Sequence, residues 1–370
     1  MDKSSGFWVG IDLHQSELMF AAYRGWAKEP EVYRVLDPRG PALGRLVREL
    51  RAVAPVSAAY EASGCGYWLA RRMHRWDVEC QVVAPSLIPK VPGCRVKTDK
   101  RDALKLATMH RGGLLSYVRV PSIEEERARR LVRTREAIRR DIQRSRQRIL
   151  KILQGLGHAY GAGRAKWTLA FWRWYRELKP HTEEREALRF HEAELEVQLA
   201  LLAQADARIE ERSLEEPYAG PVGRLRSLRG IDTLSAMVLR TEVCDMRRFG
   251  SARQFMGWLG LGVSEFTSVK ERRGGITRTG NSRCRRILTE AAWNNRLRPY
   301  VSKQLRARSA NQRPDVIAHA WRAQQRLHKT WRRLEPKAGS KKAIVAMARE
   351  LAGFVWAIWQ AEPRMLTARN

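Results

Sequence analysis

Apolar positions fall in short, strand-length blocks over the first third of the chain and then in long seven-residue repeats. Phe7–Ile11, Leu18–Ala22 and Glu31–Leu36 are three such blocks separated by turn residues. Pro41–Val53 then sets Leu43, Leu46, Val47 and Leu50 at helical spacing. Val56–Tyr60 reads as strand, Gly66–Trp76 as helix and Cys80–Ala84 as strand. Asp99–Gly112 reads as a helix stopped by the Gly112–Gly113 pair. The expected order is three strands, then helix, strand, helix, strand, helix, an α/β domain over residues 1–118.

From Ser122 the pattern changes. Ser122 and Glu125 have the spacing of a capping box. Beyond them Leu131, Ile138, Ile142, Ile149, Ile152 and Leu156 keep heptad spacing, with Arg135 and Ser145 as polar interruptions. Leu188, Leu195, Leu202 and Ile209 are each seven apart in a second helix starting near Thr182. Residues 119–216 are therefore expected to be a coiled-coil helical connector, either an antiparallel hairpin or an intermolecular coiled coil. Trp167, Trp172 and Trp174 at the joint read as packing where helices meet rather than as base-stacking groups. Pro217–Gly223 reads as a linker. It leads into a mostly helical domain over 217–370, with helices at Leu234–Val243, Ala252–Leu259, Asn281–Arg296, Pro314–Arg333 and Ser340–Gln360. Gly262–Gly280 is too polar to be core, and a long loop of this kind is often functional.

Charge narrows the function. Seventy Lys and Arg oppose 39 Asp and Glu, a net +31 over 370 residues. Such a field attracts polyanions, and nucleic acid is the expected partner. A polybasic membrane binder would concentrate its charge beside an apolar anchor. Here the cations spread from Arg24 to Arg369, and no apolar run nears the roughly 20 residues that span a bilayer. The start MDKSSGFWVGIDLH lacks a signal peptide's apolar stretch. The five cysteines show no CxxC pairing, so neither a zinc site nor a disulfide framework is indicated. These features fit a reduced cytoplasmic compartment.

Four acids form the first chemical constellation. Asp12 ends the first strand in VGIDLH and Glu61 the fourth in AAYEASG, while Asp99 and Asp102 share one helical face in KTDKRDA. The strand and helix order matches the ribonuclease H-like layout, in which the first and fourth strands are neighbours and a late helix packs near their ends. All four acids would then gather at one point. Like charges so close repel unless a cation neutralises them, and hard oxygen donors suit a divalent ion such as Mg2+. A lone strand-end aspartate is ordinarily a cap or a solvated group, and His14 reads as an ordinary turn residue. Lys97, Lys100 and Arg101 could pair with the acids or reach phosphates held there.

The second constellation lies downstream. LRSLRGIDTLSAMVLRTEV resembles a helix-hairpin-helix element, whose Gly230 turn would aim backbone N–H groups at phosphates. Asp232 stands where a second glycine is usual. In the polar stretch, Ser268 is followed by Lys270–Glu271–Arg272–Arg273. Arg278, Asn281 and Arg285 add donors for phosphate oxygens. A serine hydroxyl attacking phosphorus needs such cations to stabilise alkoxide and transition state, although loop serines are mostly structural. Ser264, Thr267 and Ser282 are alternative nucleophiles.

GIDLH, YEASG and KTDKRDA, followed by FGSARQFMGWLGL, the serine loop and GGITRTGNSRCRR, together resemble one family. It is the bridge-RNA-guided DEDD transposases of the insertion-sequence-one-hundred-ten class, and the resemblance runs from Gly10 to about Trp293. It implies a RuvC-like nuclease domain, a coiled-coil connector and a C-terminal transposase domain with a nucleophilic serine. By motif the acids are Asp12, Glu61, Asp99 and Asp102, and the serine is Ser268. The resemblance further implies magnesium, a structured guide (bridge) RNA pairing with donor and target DNA, and a covalent phosphoserine. It also implies dimers assembling to a tetramer, bacterial and nucleoid-associated, with an active site shared between protomers. The chain departs from the pattern at Val269, where glycine is usual, and at Arg229, where proline is common. A 26-residue heptad helix would span roughly 39 Å. It would therefore hold serine and acids of one chain apart unless the connector folds back. The competing readings are a metal-dependent RuvC-like nuclease or junction resolvase without serine chemistry, and a non-catalytic nucleic-acid-binding protein.

Overall fold

Strands β1 (Phe7–Leu13), β2 (Glu17–Arg24) and β3 (Glu31–Leu36) form an antiparallel meander. After α1 (Pro41–Val53), β4 (Val56–Glu61) returns parallel to β1. α2 (Trp68–His74) leads to β5 (Glu79–Val83), parallel to β4. α3 (Asp99–Arg111) and the short β6 (Tyr117–Val118), antiparallel to β5, complete the sheet. The strand order is β3-β2-β1-β4-β5-β6, so the first and fourth strands are neighbours, as the ribonuclease H-like layout requires. The computed structural model describes residues 5–62, 64–85, 88–89, 98–161, 163–267 and 271–360, with backbone alone at 265–267 and 271–273. By internal contact the chain divides into two compact units, Met1–Ser122 and Ile123–Asn370.

β1 is buried on both faces, and its alternation says which residue looks where. Val9, Ile11 and Leu13 enter a core with Leu43, Val47, Leu69 and Met73 of α1 and α2. Trp8, Gly10 and Asp12 point to the opposite face, which α3 covers. There Ala103 and Ala107 of α3 lie directly on Gly10. A Cβ at Gly10 would stand 2.2 Å from both the Ala103 carbonyl oxygen and the Ala107 nitrogen. Two alanines and a glycine thus let helix and strand backbones meet with no side chain between them.

The second unit opens with the long helix α4 (Ile123–Gly155). It turns at α5 (Leu169–Glu177) and comes back as α6 (Thr182–Ser213). Cross-pairs fix the direction. Arg135 bonds Asp206, Ser145 bonds Gln198 and Arg148 bonds Glu194, so numbers rise on one helix as they fall on the other. Both polar interruptions of the heptad seam therefore have partners across it. Ser145 is fully buried, and its hydroxyl lies within bonding distance of Gln198 across the seam and of the Asp141 carbonyl on its own helix. Phe171 and Tyr175 are buried at the hairpin tip, with Trp167, Trp172 and Trp174 packed around them. Arg212, near the end of α6, reaches Glu124 at the start of α4 at 3.5 Å. The hairpin therefore folds back on itself and returns to the level at which it starts.

α7 (Ala219–Leu225) follows, with Pro221, Val222 and Leu225 buried, so the segment read as a linker is a packed helix. α8 (Thr233–Val243), a 3-10 turn at Met246–Arg248 and α9 (Ala252–Trp258) lead to a hairpin of β7 (Val263–Thr267) and β8 (Glu271–Ile276). α10 (Ser282–Asn294), α11 (Lys303–Ser309), α12 (Pro314–Ala338) and α13 (Ser340–Gln360) end the described chain. α13 supplies the centre of this core through Ile344, Met347, Leu351 and Val355. No helix among the described residues is long and apolar enough to cross a membrane.

Gly10→Ala should lower stability by about 1–3 kcal/mol, the usual range for overpacking a close contact. Gly257→Ala in α9, where an added Cβ meets nothing within 4 Å, should be neutral or stabilising. Thermal melts of both variants check this; equal melting would show that α3 does not rest on Gly10.

Candidate active site

The parallel register pairs Gly10 with Ala59 and Ile11 with Tyr60. One step beyond the last pair stand Asp12 and Glu61. Ala59 faces Leu106 and Met109 of α3, and Glu61, two residues on, shares that face. α3 begins above the same strand ends because Gly10 holds it there. Thr98 caps the helix by accepting from the Arg101 N–H, which places Asp99 and Asp102 in the first turn. Negative charge is favoured at that position by the helix dipole.

The four acids are thereby drawn toward one pocket of about 650 Å³, with Asp12, Glu61 and Asp102 in its lining. Asp99 joins through His14. Carboxylate oxygens of Asp12 and Asp99 and a ring nitrogen of His14 all lie within 4.8 Å of one another. His14 Nε2 is 3.3 Å from Asp12 Oδ2 and 3.6 Å from Asp99 Oδ1. The sequence reads His14 as a turn residue; the structure sets it between two of the acids. The only sequence signal was its position two residues after Asp12, where the β1–β2 turn folds back.

Electrostatics at Asp12 test whether a cation fits. Burial raises its carboxyl above the usual 3.8, His14 opposes this, and the charges of Asp99 and Asp102 raise it further. A carboxylate pushed up by burial and by two like charges is short of positive charge. Oxygen donors of this kind suit a hard divalent ion. Arg39 also lines the pocket, stacked over Trp68 at 5.1 Å.

The second constellation resolves differently. Ser268 lies outside the described residues, after β7 and before β8 in the sequence. Arg272 and Arg273 are in β8, where the backbone alone is described. Ser264 donates to the Gly275 carbonyl oxygen across the hairpin. Gly230 has φ +87 and packs on α10, where a Cβ would stand 2.5 Å from the Ala291 carbonyl oxygen. One side of the turn therefore lies against α10. Asp232, in the position of the missing glycine, caps α8 by accepting from the Ser235 N–H.

Asn281 and Arg285 face inward. Asn281 accepts from the Cys284 N–H and donates to Glu242, while Arg285 donates to the Leu259 carbonyl oxygen. These bonds hold α10 in place. Arg278, by contrast, is exposed. Sequence reasoning missed the centre of this network. Buried Glu242 takes a two-pronged bond from Arg133, at 2.7 and 2.8 Å, that ties α4 to α8. Burial alone would raise the Glu242 carboxyl, but the bonds from Arg133 and Asn281 outweigh it and hold it below the ordinary value. Glu136 of α4 likewise holds Arg283 and Arg286 of α10.

Comparison with known proteins decides the family. A DEDD transposase profile of the IS110 type matches residues 9–158, and one described as the IS116/IS110/IS902 transposase family matches 222–306. A protein of Sinorhizobium fredii (strain NBRC 101917 / NGR234) named as a transposase, y4qE, is 38% identical over 355 residues, 95% of this chain and 87% of that protein. The transposase for insertion sequence element IS1533 of Leptospira borgpetersenii is 32% identical over 336 residues, covering 89% of this chain and 97% of its own. The chain belongs to the IS110 family of transposases. An IS110-family transposase is a DNA-recombining enzyme, and its DEDD class depends on divalent cations and implies a ribonuclease H-like fold. The first matched stretch contains all four acids, and the second contains the β7–β8 hairpin.

The raised Asp12 carboxyl has a signed consequence for stability. Its contribution is complete below the ordinary 3.8 and is lost as pH rises through the higher folded value. In chelator, Asp12→Asn should therefore melt higher than the parent at neutral pH, and the gap should close on acidification. A gap that widens toward acid would contradict the like-charge account of the pocket.

Proposed function

We propose that the chain is an RNA-guided DNA recombinase that cuts and rejoins strands through Ser268, assisted by Asp12, Glu61, Asp99 and Asp102 around Mg2+. The observation that carries this reading is the gathering of acids from β1, β4 and α3 at one pocket in a chain of net charge +31. Magnesium held there would act as a Lewis acid on a phosphate oxygen. Asp12 and Glu61, set on neighbouring strands of a sheet, would hold the cation together with Asp99 and Asp102 from the first turn of α3. His14 lies within bonding distance of Asp12 and beside Asp99.

Ser268 supplies the bond exchange. Attack of its hydroxyl oxygen on phosphorus forms a phosphoserine ester and breaks the bond to one strand, whose oxygen leaves with a proton as a hydroxyl. A hydroxyl of the new strand reverses the step, so strand joining needs no outside energy source. Support for this part is the resemblance of the hairpin sequence and Gly275, where the space a side chain would fill is open. Guide RNA is proposed on the same resemblance and on the basic surface, which would hold a folded polyanion as readily as duplex DNA.

The proposed assembly is a homodimer that forms a tetramer, with Ser268 serving a partner's acids. Phe190, Val197 and Leu201 support it: spaced seven and four apart on α6, they leave an apolar stripe in solvent. The chain incubated with its element's RNA and DNA should yield a protein–DNA adduct on a denaturing gel. Ser268→Ala should abolish the adduct and keep binding. Mixing Ser268→Ala with Asp12→Asn chains should restore part of the activity, because some mixed sites are whole. A dead mixture of variants that still associate would refute the shared site, and an adduct surviving Ser268→Ala would move the nucleophile to Thr267 or Ser264.

A further inference from the structure

Two cavities of the second unit share a wall. One, of about 720 Å³, opens along α12 and is lined by four cations, Arg322, Arg326, Lys329 and Arg333. The other, of about 1240 Å³, runs from α12 and α13 to the β7–β8 hairpin and is lined by six, Arg333 being common to both. Thr330 and Glu350 also line both, so the two form one groove. Among the described residues, Glu350 is the one acid in either wall. It is already engaged, accepting from Thr330 and pairing with Arg326 at 3.5 Å.

The groove follows from the sequence of α12. Val316, Ala320, Ala323 and Leu327 bury one face of that helix. The four cations sit four, three and four residues apart on an exposed face. From Arg322 to Arg333 the helix rises about 16 Å, close to the axial length of roughly five nucleotides at about 3.4 Å each. At the other end Arg253, Arg278 and Lys342 surround an apolar floor of Met256, Leu261 and Val345. A row of charges beside an apolar floor suits a phosphodiester strand, whose phosphates meet the cations while base faces and sugar carbons meet the floor.

We propose that this groove seats the backbone of a DNA strand and leads it to the β7–β8 hairpin. The charge complementarity is general to any polynucleotide. The choice of DNA rests on the reading of that hairpin as the strand-cutting one, since Gly274, Gly275 and Arg278 form its mouth. His319, at the far end, bonds to the Phe354 carbonyl oxygen and takes part as a wall, not as a charge, because burial lowers its pKa.

The test uses the full chain and a short mixed-sequence DNA duplex, with RNA of the same sequence as a second probe. Binding is measured between 50 and 200 mM salt. The triple variant Arg322→Ala, Lys329→Ala, Arg333→Ala replaces exposed helical residues with a good helix former, so folding should hold. Its log–log salt slope for DNA should fall by about 2–3, near 0.9 for each lost phosphate contact. The drop for RNA should be no larger. Arg322→Lys with Arg333→Lys should keep the parent slope. Arg139→Ala, Arg140→Ala, Lys151→Ala, on the exposed side of α4, should change it less. An unchanged DNA slope, a larger drop for RNA, or an equal drop in the α4 variant overturns the groove. Failure of the serine reading is separate: it shows as an adduct that survives Ser268→Ala and leaves every slope as it was.

Discussion

The contact of α3 with β1 at Gly10 is the constraint on which the acidic pocket depends. A strand end can present one carboxylate, and its parallel neighbour can present a second. Neither can bring in a third from another layer unless that layer comes within backbone distance. Gly10, Ala103 and Ala107 remove the side chains that would hold the layers apart. α3 can then start above Asp12 with Asp99 and Asp102 in its first turn. His110 and Ser57 fix the other end of the helix by a buried bond of 2.9 Å, with Trp8 packed edge-on against the imidazole. The pocket is thus assembled by packing, against the repulsion of its own charges.

The second unit solves the opposite electrostatic problem. It carries the excess of arginine, and buried Glu242 and half-buried Glu136 are placed where they tie helices together. Glu242 joins α4, α8 and the start of α10, and Glu136 joins α4 and α10. A two-pronged arginine offsets part of the desolvation of a buried carboxylate, and removing it leaves that charge buried and short of its partner. The acids spent inside leave the outer face of α12 to its cations.

Much of the fold was legible in the residues. β3, α1 and α13 begin and end where their patterns do, because Pro41 at a helix start and clean apolar spacing leave little choice. The acids were legible too, since strand-end placement and the helical i, i+3 spacing name the elements that meet. What escaped was set by tertiary context. α7 looked like a linker because Pro217, Gly220, Pro221 and Gly223 are poor helix formers, yet Pro221 and Val222 pack into the core. The β7–β8 hairpin carries too few apolar residues to announce strands. The bonds of Asn281 to Glu242 and of Arg285 to the Leu259 carbonyl escaped as well, because their partners lie far along the chain. His14 was passed over because its partner Asp99 lies far along the chain.

The central claim is that β1, β4 and α3 build one divalent-cation site inside a strongly cationic protein. Non-specific cation binding to such a chain is weak, so a bound ion reports the acidic pocket with little background. Titration of Mn2+ followed by electron paramagnetic resonance is the most direct measurement. The full chain should take up Mn2+, and Asp12→Asn and Glu61→Gln should each weaken uptake by at least about tenfold while melting cooperatively. Variants that bind Mn2+ as the parent does would contradict the account.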